Sequence, residues 1–418
     1  MEAVITSEKQ GFKKTKLGWI PEDWEVSRLF DIGIFYKGKG ISKKELSPVG
    51  LPCVRYGEIY TRHDFTIREF YSFICREIAR QSQKIYCNDI LFAGSGETAE
   101  EIGKAVAYLN DHEAYAGGDI IILRVSNDND AEFLAYLLNS HLINHQKSRL
   151  GEGQSVVHIY INELSQILIP YPPLPEQNAI AKLLSIWDKA LDKLTRLIEL
   201  KEKKKKWLMQ QLLTGKKRLK GFTEEWKSEP LHLHATEVSI RNKESIDLTV
   251  LSCTKYDGLV PSLEYFGRKV FADDLSTYKV VPKSHFAYAT NHIEEGSIGY
   301  QIRLKEALIS PMYTVFKTFK SINDDFLYLV LKSHVYIHEY KKRMEGSINR
   351  RGGLRWEEFS KIKIPMLPMV EQIAIAEFFN VCNLESELLT RKADQIKEQK
   401  KGLMQVLLTG KKRLKVKQ

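Results

Sequence analysis

Cysteine is scarce in this chain: Cys53, Cys75, Cys87, Cys253 and Cys382 are five in 418 residues, an odd number with no C-x-x-C pair. That spacing excludes a disulfide framework and a zinc ribbon, so the five read as reduced core thiols. Long apolar runs are missing too. None reaches the roughly 20 residues that a bilayer span needs, and the opening MEAVITSEKQGFKKTK lacks the apolar core of a signal peptide. A cytoplasmic protein with no membrane segment is expected. The chain has an excess of positive charge, +10 in all, which calls for an anionic partner such as nucleic acid. Its 43% hydrophobic content fills more than one core over this length.

Signatures of chemistry are also missing. Phe92-Ala-Gly94-Ser-Gly96 has the glycines of a methyl-donor loop but not the strand-helix repeat that should follow. The one Pro-Pro, in Tyr171-Pro172-Pro173-Leu174, lacks the Asn or Asp that helps hold a flipped base. Ile102-Gly103-Lys104-Ala105 fails the phosphate-loop spacing. Glu199–Lys201 and Glu398–Lys400 lie in charge-rich helical stretches and read as solvated faces, not as nuclease carboxylates. His232 and His234 have no Cys or Asp partners in sequence, so no metal is assigned and no catalytic residue is expected.

The chain does contain a long internal repeat. LMQQLLTGKKRLK from Leu208 returns as LMQVLLTGKKRLK from Leu403, an offset of 195. The same offset carries Glu176-Gln177 onto Glu371-Gln372, Ala179-Ile180-Ala181 onto Ala374-Ile375-Ala376, and Gly151 onto Gly346, without a gap. A match free of insertions marks a length-critical element, because loops drift in length. From Ile180 the apolar positions step by four and three through Leu184, Trp187, Leu191, Leu194 and Ile198, and the second copy does the same from Ile375 and Phe379. This heptad seam predicts two coiled-coil helices of about 40 residues, or about 60 Å each. Both start after a proline-rich stop and close at Leu-Thr-Gly, with Gly215 and Gly410 as C-caps, and they are expected to pair antiparallel.

The segments before the helices, 17–168 and 222–363, share little identity but read as similar orders of strand and helix. Strand-like DIIILRV (119–125) and MYTVFKTF (312–319) are followed by helical FLAYLLNSHL (133–142) and FLYLVLKSHV (326–335). The fold class is therefore α+β: two mixed α/β units joined by two long antiparallel helices. The expected boundaries are 1–168, 169–220, 221–363 and 364–418.

Several stretches carry a resemblance. FKKTKLGWIPEDWEVSRL, GKKRLKGFTEEWKSEPL, LPCVRYGEIYT, NDILFAGSGETAEEIGKA and the two IP-x-x-P-x-x-EQ-x-AIA helices resemble the specificity subunits of type I restriction-modification systems, across nearly the whole chain. The resemblance implies two target-recognition domains in a pseudo-two-fold arrangement, each reading half of a bipartite site in double-stranded DNA. It also implies that the helices are spacers that set the gap and dock two methyltransferase subunits, with two restriction-translocase subunits joining them. S-adenosylmethionine, ATP and Mg would then serve those partners, and this chain would bind no cofactor.

Candidate DNA contacts are loops where Arg, Lys, Asn and hydroxyl side chains gather near glycine, since phosphates require positive charge and base edges require planar donors and acceptors. In the first unit these are Lys37, Lys39, Lys43, Lys44, Arg55, Tyr60, Arg62, Ser95, Glu97, Thr98, Arg149, Gln154, Ser155 and His158. In the second they are Lys255, Tyr256, Asn291, His292, Asn349, Arg350, Arg351 and Arg355, with the 349–355 loop foremost. The lysine runs 203–206 and 215–220 sit on the repeated spacer and read as solvated or subunit-docking. Two other readings fit the composition: an orphan DNA-binding scaffold without methyltransferase partners, and a protein that coats membranes or nucleic acid nonspecifically.

Overall fold

The computed structural model describes residues 10–153, 155–244, 246–345 and 353–414. It divides into two compact units, Met1–Thr195 with Arg391–Gln418, and Arg196–Thr390. The boundary falls inside both long helices, Leu174–Leu212 and Met369–Leu407, each 39 residues.

In the first unit a four-stranded antiparallel sheet runs in the order Ala105–Tyr108, Asp89–Ala93, Ile120–Val125, Gly33–Lys37. Alternate residues of the central strand enter different cores. Ile121 and Leu123 pack with Phe133 and Leu137 of the following helix, whereas Ile120 and Ile122 pack with Val54 and Ile59. A strand covered on both faces has no polar alternation, which is why DIIILRV reads as a continuous apolar run. In the second sheet of this unit Leu51–Val54 pairs parallel with Ala114–Ala116.

The second unit repeats this plan with other residues. Its four-stranded sheet runs Ile298–Gln301, His285–Ala289, Tyr313–Thr318, Ala235–Val238, and a second sheet again contains a parallel pair, Val250–Thr254 with Glu306–Ile309. The helical runs each break into two helices, Ala131–Leu138 with His141–Leu150 and Asp324–Leu331 with His334–Glu345. The break falls at Asn139-Ser140 and Lys332-Ser333, where Ser favours a helix start over a helix interior.

The repeated motifs act crosswise within each unit. In the second unit Arg218, from the first LTGKKR, makes two parallel bonds of 2.6 Å to Glu371 from the second EQ motif, and Trp226 Nε1 donates to the same carboxylate at 3.1 Å. In the first unit Arg413 grips Glu176 with two bonds of 2.6 Å, Trp24 donates to it at 2.9 Å, and Asp23 takes a further pair at 2.8 Å. The Arg413 guanidinium holds the Asp23 carboxyl below its ordinary value. The neighbouring glutamines are buried and do a second job. Gln177 accepts from Asp130 N at 3.0 Å and donates to Pro172 O at 2.9 Å; Gln372 does the same with Asn323 N and Leu367 O, both at 2.8 Å. Asp130 and Asn323 are themselves helix N-caps. Gly215 and Gly410 close their helices at φ of 70° and 68°, and a Cβ on Gly410 would lie 2.4 Å from Pro21.

The helices pair antiparallel in each unit: Glu202 meets Ser386 and Lys201 meets Glu385 in one, and Asp188 meets Lys400 in the other. Two expectations are corrected. Lys400 is not on a solvated face; it is a seam residue, buried against Asp188 with its ammonium 4.1 Å from the Phe65 ring and 4.8 Å from that of Tyr136. The cysteines are not all core thiols either, because Cys75 and Cys87 are exposed while Cys53 is buried. Cys75 lies between a strand and a helix and Cys87 in the turn between two strands, where the side chain is free to face water.

Burial pushes the Lys400 ammonium down, and the Asp188 carboxylate, which also accepts from Tyr136, opposes that shift. Removing one partner strands the other charge. Lys400→Met is expected to destabilise the protein by about 3 kcal/mol in urea denaturation, and Lys400→Met with Asp188→Leu by clearly less. A double-variant loss equal to the sum of the Lys400→Met and Asp188→Leu losses would show that the pair is not coupled.

Candidate nucleic-acid interface

Three strand ends of the first unit's sheet meet at one edge: Gly33–Lys37 and Asp89–Ala93 finish there and Ile120–Val125 begins there. The chain leaves the first strand through Gly38, whose N–H donates to Ile120 O at 2.7 Å and where a Cβ would lie 1.9 Å from Gly117 O. It leaves the second through Gly94, whose N–H donates to Asp119 O at 2.7 Å. The loop preceding the long helix returns to the same place, with Ile159 N donating to Gly94 O at 3.0 Å. The result is a cavity of about 210 Å³ lined by Lys37, Ser95, Asp119, His158, Tyr160 and Asn162. Ser95 Oγ is buried and bonded to His158 Nδ1 at 2.9 Å, and the His158 and Tyr160 rings are near-parallel at 6.3 Å.

A larger cleft of about 880 Å³ shares Asp119 with this cavity and brings together Lys43, Arg55 and Arg62 with Tyr56, Tyr71 and Glu58. Arg55 bonds Glu58 with one terminal nitrogen at 3.4 Å, while its Nε is buried without a partner among the described residues. Arg62 lies over the Tyr71 ring at 5.1 Å. Two guanidinium groups, one with an unused donor and the other over an aromatic ring, suit phosphate or a base face.

Other expected residues are more scattered. Lys39, Lys44, Glu97, Thr98, Arg149 and Ser155 are exposed, and none of them lines either cavity. Tyr60 points inward, its hydroxyl donating to Glu101 O at 3.3 Å and pushed up to about 12 by burial. Gln154, Asn349, Arg350 and Arg351 lie outside the described residues.

In the second unit Asn291 and His292 follow strand His285–Ala289, the counterpart of Asp89–Ala93, and Leu354 N donates to Thr290 O at 2.9 Å just as Ile159 does to Gly94. Arg355 is exposed and caps the helix Trp356–Phe359. Lys255 and Tyr256 are exposed at the turn between Val250–Thr254 and Gly258–Pro261, and Lys332 Nζ ties that turn to Gly296 with two bonds of 2.8 Å. His232 bonds Ser360 O, and His234 lies between Ser321 and Glu229, so both are held by protein groups.

Sequence reasoning passed over Tyr71, Asp119, Tyr160 and Asn162. Tyr160 was within reach, because the 195 offset carries it onto Arg355, which was selected. The others have no local signal, since sheet pairing alone brings them to the edge.

The comparisons with known proteins agree with this architecture. Residues 21–202 match the family model of the type I restriction modification DNA specificity domain. The type I restriction enzyme MjaVIII specificity subunit of Methanocaldococcus jannaschii is 27% identical, over 97% of this chain and 97% of its own. Residues 21–202 thus carry a type I DNA specificity domain, and the chain is similar over nearly its whole length to type I specificity subunits. Two solved structures share the fold. The S subunit from M. genitalium has a TM-score of 0.55 and 17% identity, covering 92% of this chain and 96% of its own. A chain from work on assembly and conformational transition of the type I R-M system has a TM-score of 0.58 and 16% identity, covering 94% and 99%. Two β-rich domains with two long helices packed together are the arrangement of this family.

Lys147 of the helix His141–Leu150 is fully buried, its ammonium donating to Gly103 O at 2.7 Å and pushed down to about 7 by burial. The unfolded chain holds that proton up to about 10.5, so folding releases a proton between the two values and rising pH favours the folded state there. Relative to Lys147→Met, the wild-type subunit is expected to gain stability, measured by denaturant titration, as pH rises from 7 to 10. A parallel pH dependence in the two proteins would show that Lys147 stays charged.

Proposed function

We propose that this specificity subunit is the non-catalytic DNA-reading part of a type I complex, each unit reading one half of a bipartite double-stranded site. The observation that carries the reading is two units with one strand order and different loop side chains, followed by gapless repeats of one helix. One frame presented twice with different side chains suits two different half-sites. In the first unit, Arg55 and Arg62 with their aromatic neighbours suit phosphate and base contact.

The paired helices act as the ruler between half-sites and as the dock for methyltransferase subunits, two in number, to which two restriction-translocase subunits add. Support for docking comes from a stripe of exposed apolar side chains on the second helix, Val370, Ile373, Val381, Leu384 and Leu388, at helical spacing. No helix among the described residues is long and apolar enough to cross a membrane, and the setting proposed is the cytoplasm. S-adenosylmethionine, ATP and Mg are used by the partner subunits in this reading.

Two measurements test it. The purified subunit alone is expected to transfer no labelled methyl group from S-adenosylmethionine to DNA, and turnover by the rigorously purified chain would overturn the non-catalytic assignment. Inserting seven residues at Arg196, with a matching insertion in the facing helix, keeps the seam in phase and adds about 10 Å. With partner subunits present, the preferred gap should grow by about three base pairs at 3.4 Å each while both half-site sequences stay the same. An unchanged gap in a folded variant would show that the helices are not the ruler.

A further inference from the structure

The two units share a backbone frame at the sheet edge, and on it three equivalent positions carry different side chains. The first position follows the second sheet strand: Ser95 after Gly94 in one unit, Asn291 after Thr290 in the other. The other two belong to the returning loop, His158 and Tyr160 in one unit and Gly353 and Arg355 in the other, related by the 195 offset. The frame is held by the same main-chain bond, Ile159 N to Gly94 O and Leu354 N to Thr290 O.

The side chains exchange space on this frame. In the first unit the small Ser95 leaves room for the His158 ring and orients it through the 2.9 Å bond to Nδ1. In the second unit the larger side chain is on the other segment. A Cβ at position 353 would lie 2.3 Å from Asn291 Oδ1 and 2.5 Å from Thr290 O, and Gly353 has a φ of 66°. Asn291 therefore occupies space that a side chain at 353 would need, which accounts for the glycine. Near each pair, at the N-cap of a short helix, is an exposed side chain, Tyr160 or Arg355. Core packing does not require such an exchange, since the edge is open and the four-stranded sheet that bears it has the same strand order in both units.

We propose that these three positions, Ser95, His158 and Tyr160 in one unit and Asn291, Gly353 and Arg355 in the other, determine which bases each unit prefers. The inference rests on the DNA-reading function proposed above. His158 offers Nε2 and Tyr160 a hydroxyl in the first unit. Asn291 and Arg355 offer the side chains suited to adenine and guanine edges respectively. Ser95 acts as a positioning residue through His158.

The test is sequence selection from a random duplex library by the full chain assembled with its methyltransferase subunits. Arg355→Gln and Asn291→Ser are expected to lower preference at one or two base pairs of one half-site by roughly ten-fold or more, with the other half-site and the gap unchanged. His158→Gln should do the same in the opposite half-site, and Ser95→Ala should reproduce a weaker form of that change while thermal midpoints stay near wild type. If the wild-type complex selects a split sequence and the variants select it unaltered, the inference is wrong. Uniform weakening at all sequences would also overturn it, by marking these side chains as phosphate contacts. A wild-type complex that selects no split sequence would instead overturn the DNA-reading function itself.

Discussion

The structure depends on one bond type used twice: an arginine just past the end of one long helix gripping a buried glutamate in the first turn of the other. Arg218 with Glu371 and Arg413 with Glu176 each make two parallel bonds, and a tryptophan from the segment preceding a recognition sheet, Trp226 or Trp24, donates to the same carboxylate. A carboxylate taken fully out of water requires partners of this quality, and the bidentate guanidinium supplies them with fixed geometry. The adjacent glutamine then fixes the first turn of the helix that packs on the sheet. Helix pair, entering strand and sheet are thus joined at one point in each unit, so the orientation of the sheet edge follows from the orientation of the long helices.

This arrangement explains why the repeat is so strict in two short stretches and loose elsewhere. Glu-Gln at the helix start and Leu-Thr-Gly-Lys-Lys-Arg at its end are the two halves of the lock, each copy completing the other. Between them the seam tolerates variation: Asp188 with Lys400 has no charged counterpart pair in the other unit, where Asn383 and Lys205 stand at the equivalent positions and Lys205 pairs with Glu202. The recognition sheets vary more, because a strand buried on both faces asks only for apolar residues of fitting size, while the loops at its ends are free to differ.

Much of the architecture was legible before any coordinates. Offset, heptad phase, C-cap glycines and the apolar strands follow from local rules, because helix period and turn geometry are set by neighbours within a few residues. Lys400 was misread for a related reason. Its flanking residues are charged, so the stretch looks solvated, and only the seam position it occupies opposite Asp188 makes it a buried cation. The candidate contacts were legible by composition but not by grouping. Lys43, Arg55 and Arg62 share a cleft with Tyr56 and Tyr71, whereas the similar Lys39 and Lys44 do not line it, and Tyr60 turns its hydroxyl inward.

By itself the sequence determined the repeat, the two helices with their antiparallel seam, and the family that the chain resembles, because each is written in contiguous residues or in a constant offset. Tertiary structure decided what meets what. It joined the first LTGKKR to the second EQ motif, brought Asp119 and Tyr160 to one sheet edge, and placed Asn291 in the space that Gly353 leaves open. Those contacts depend on strand order and on the register of distant segments, which no window of neighbouring residues encodes.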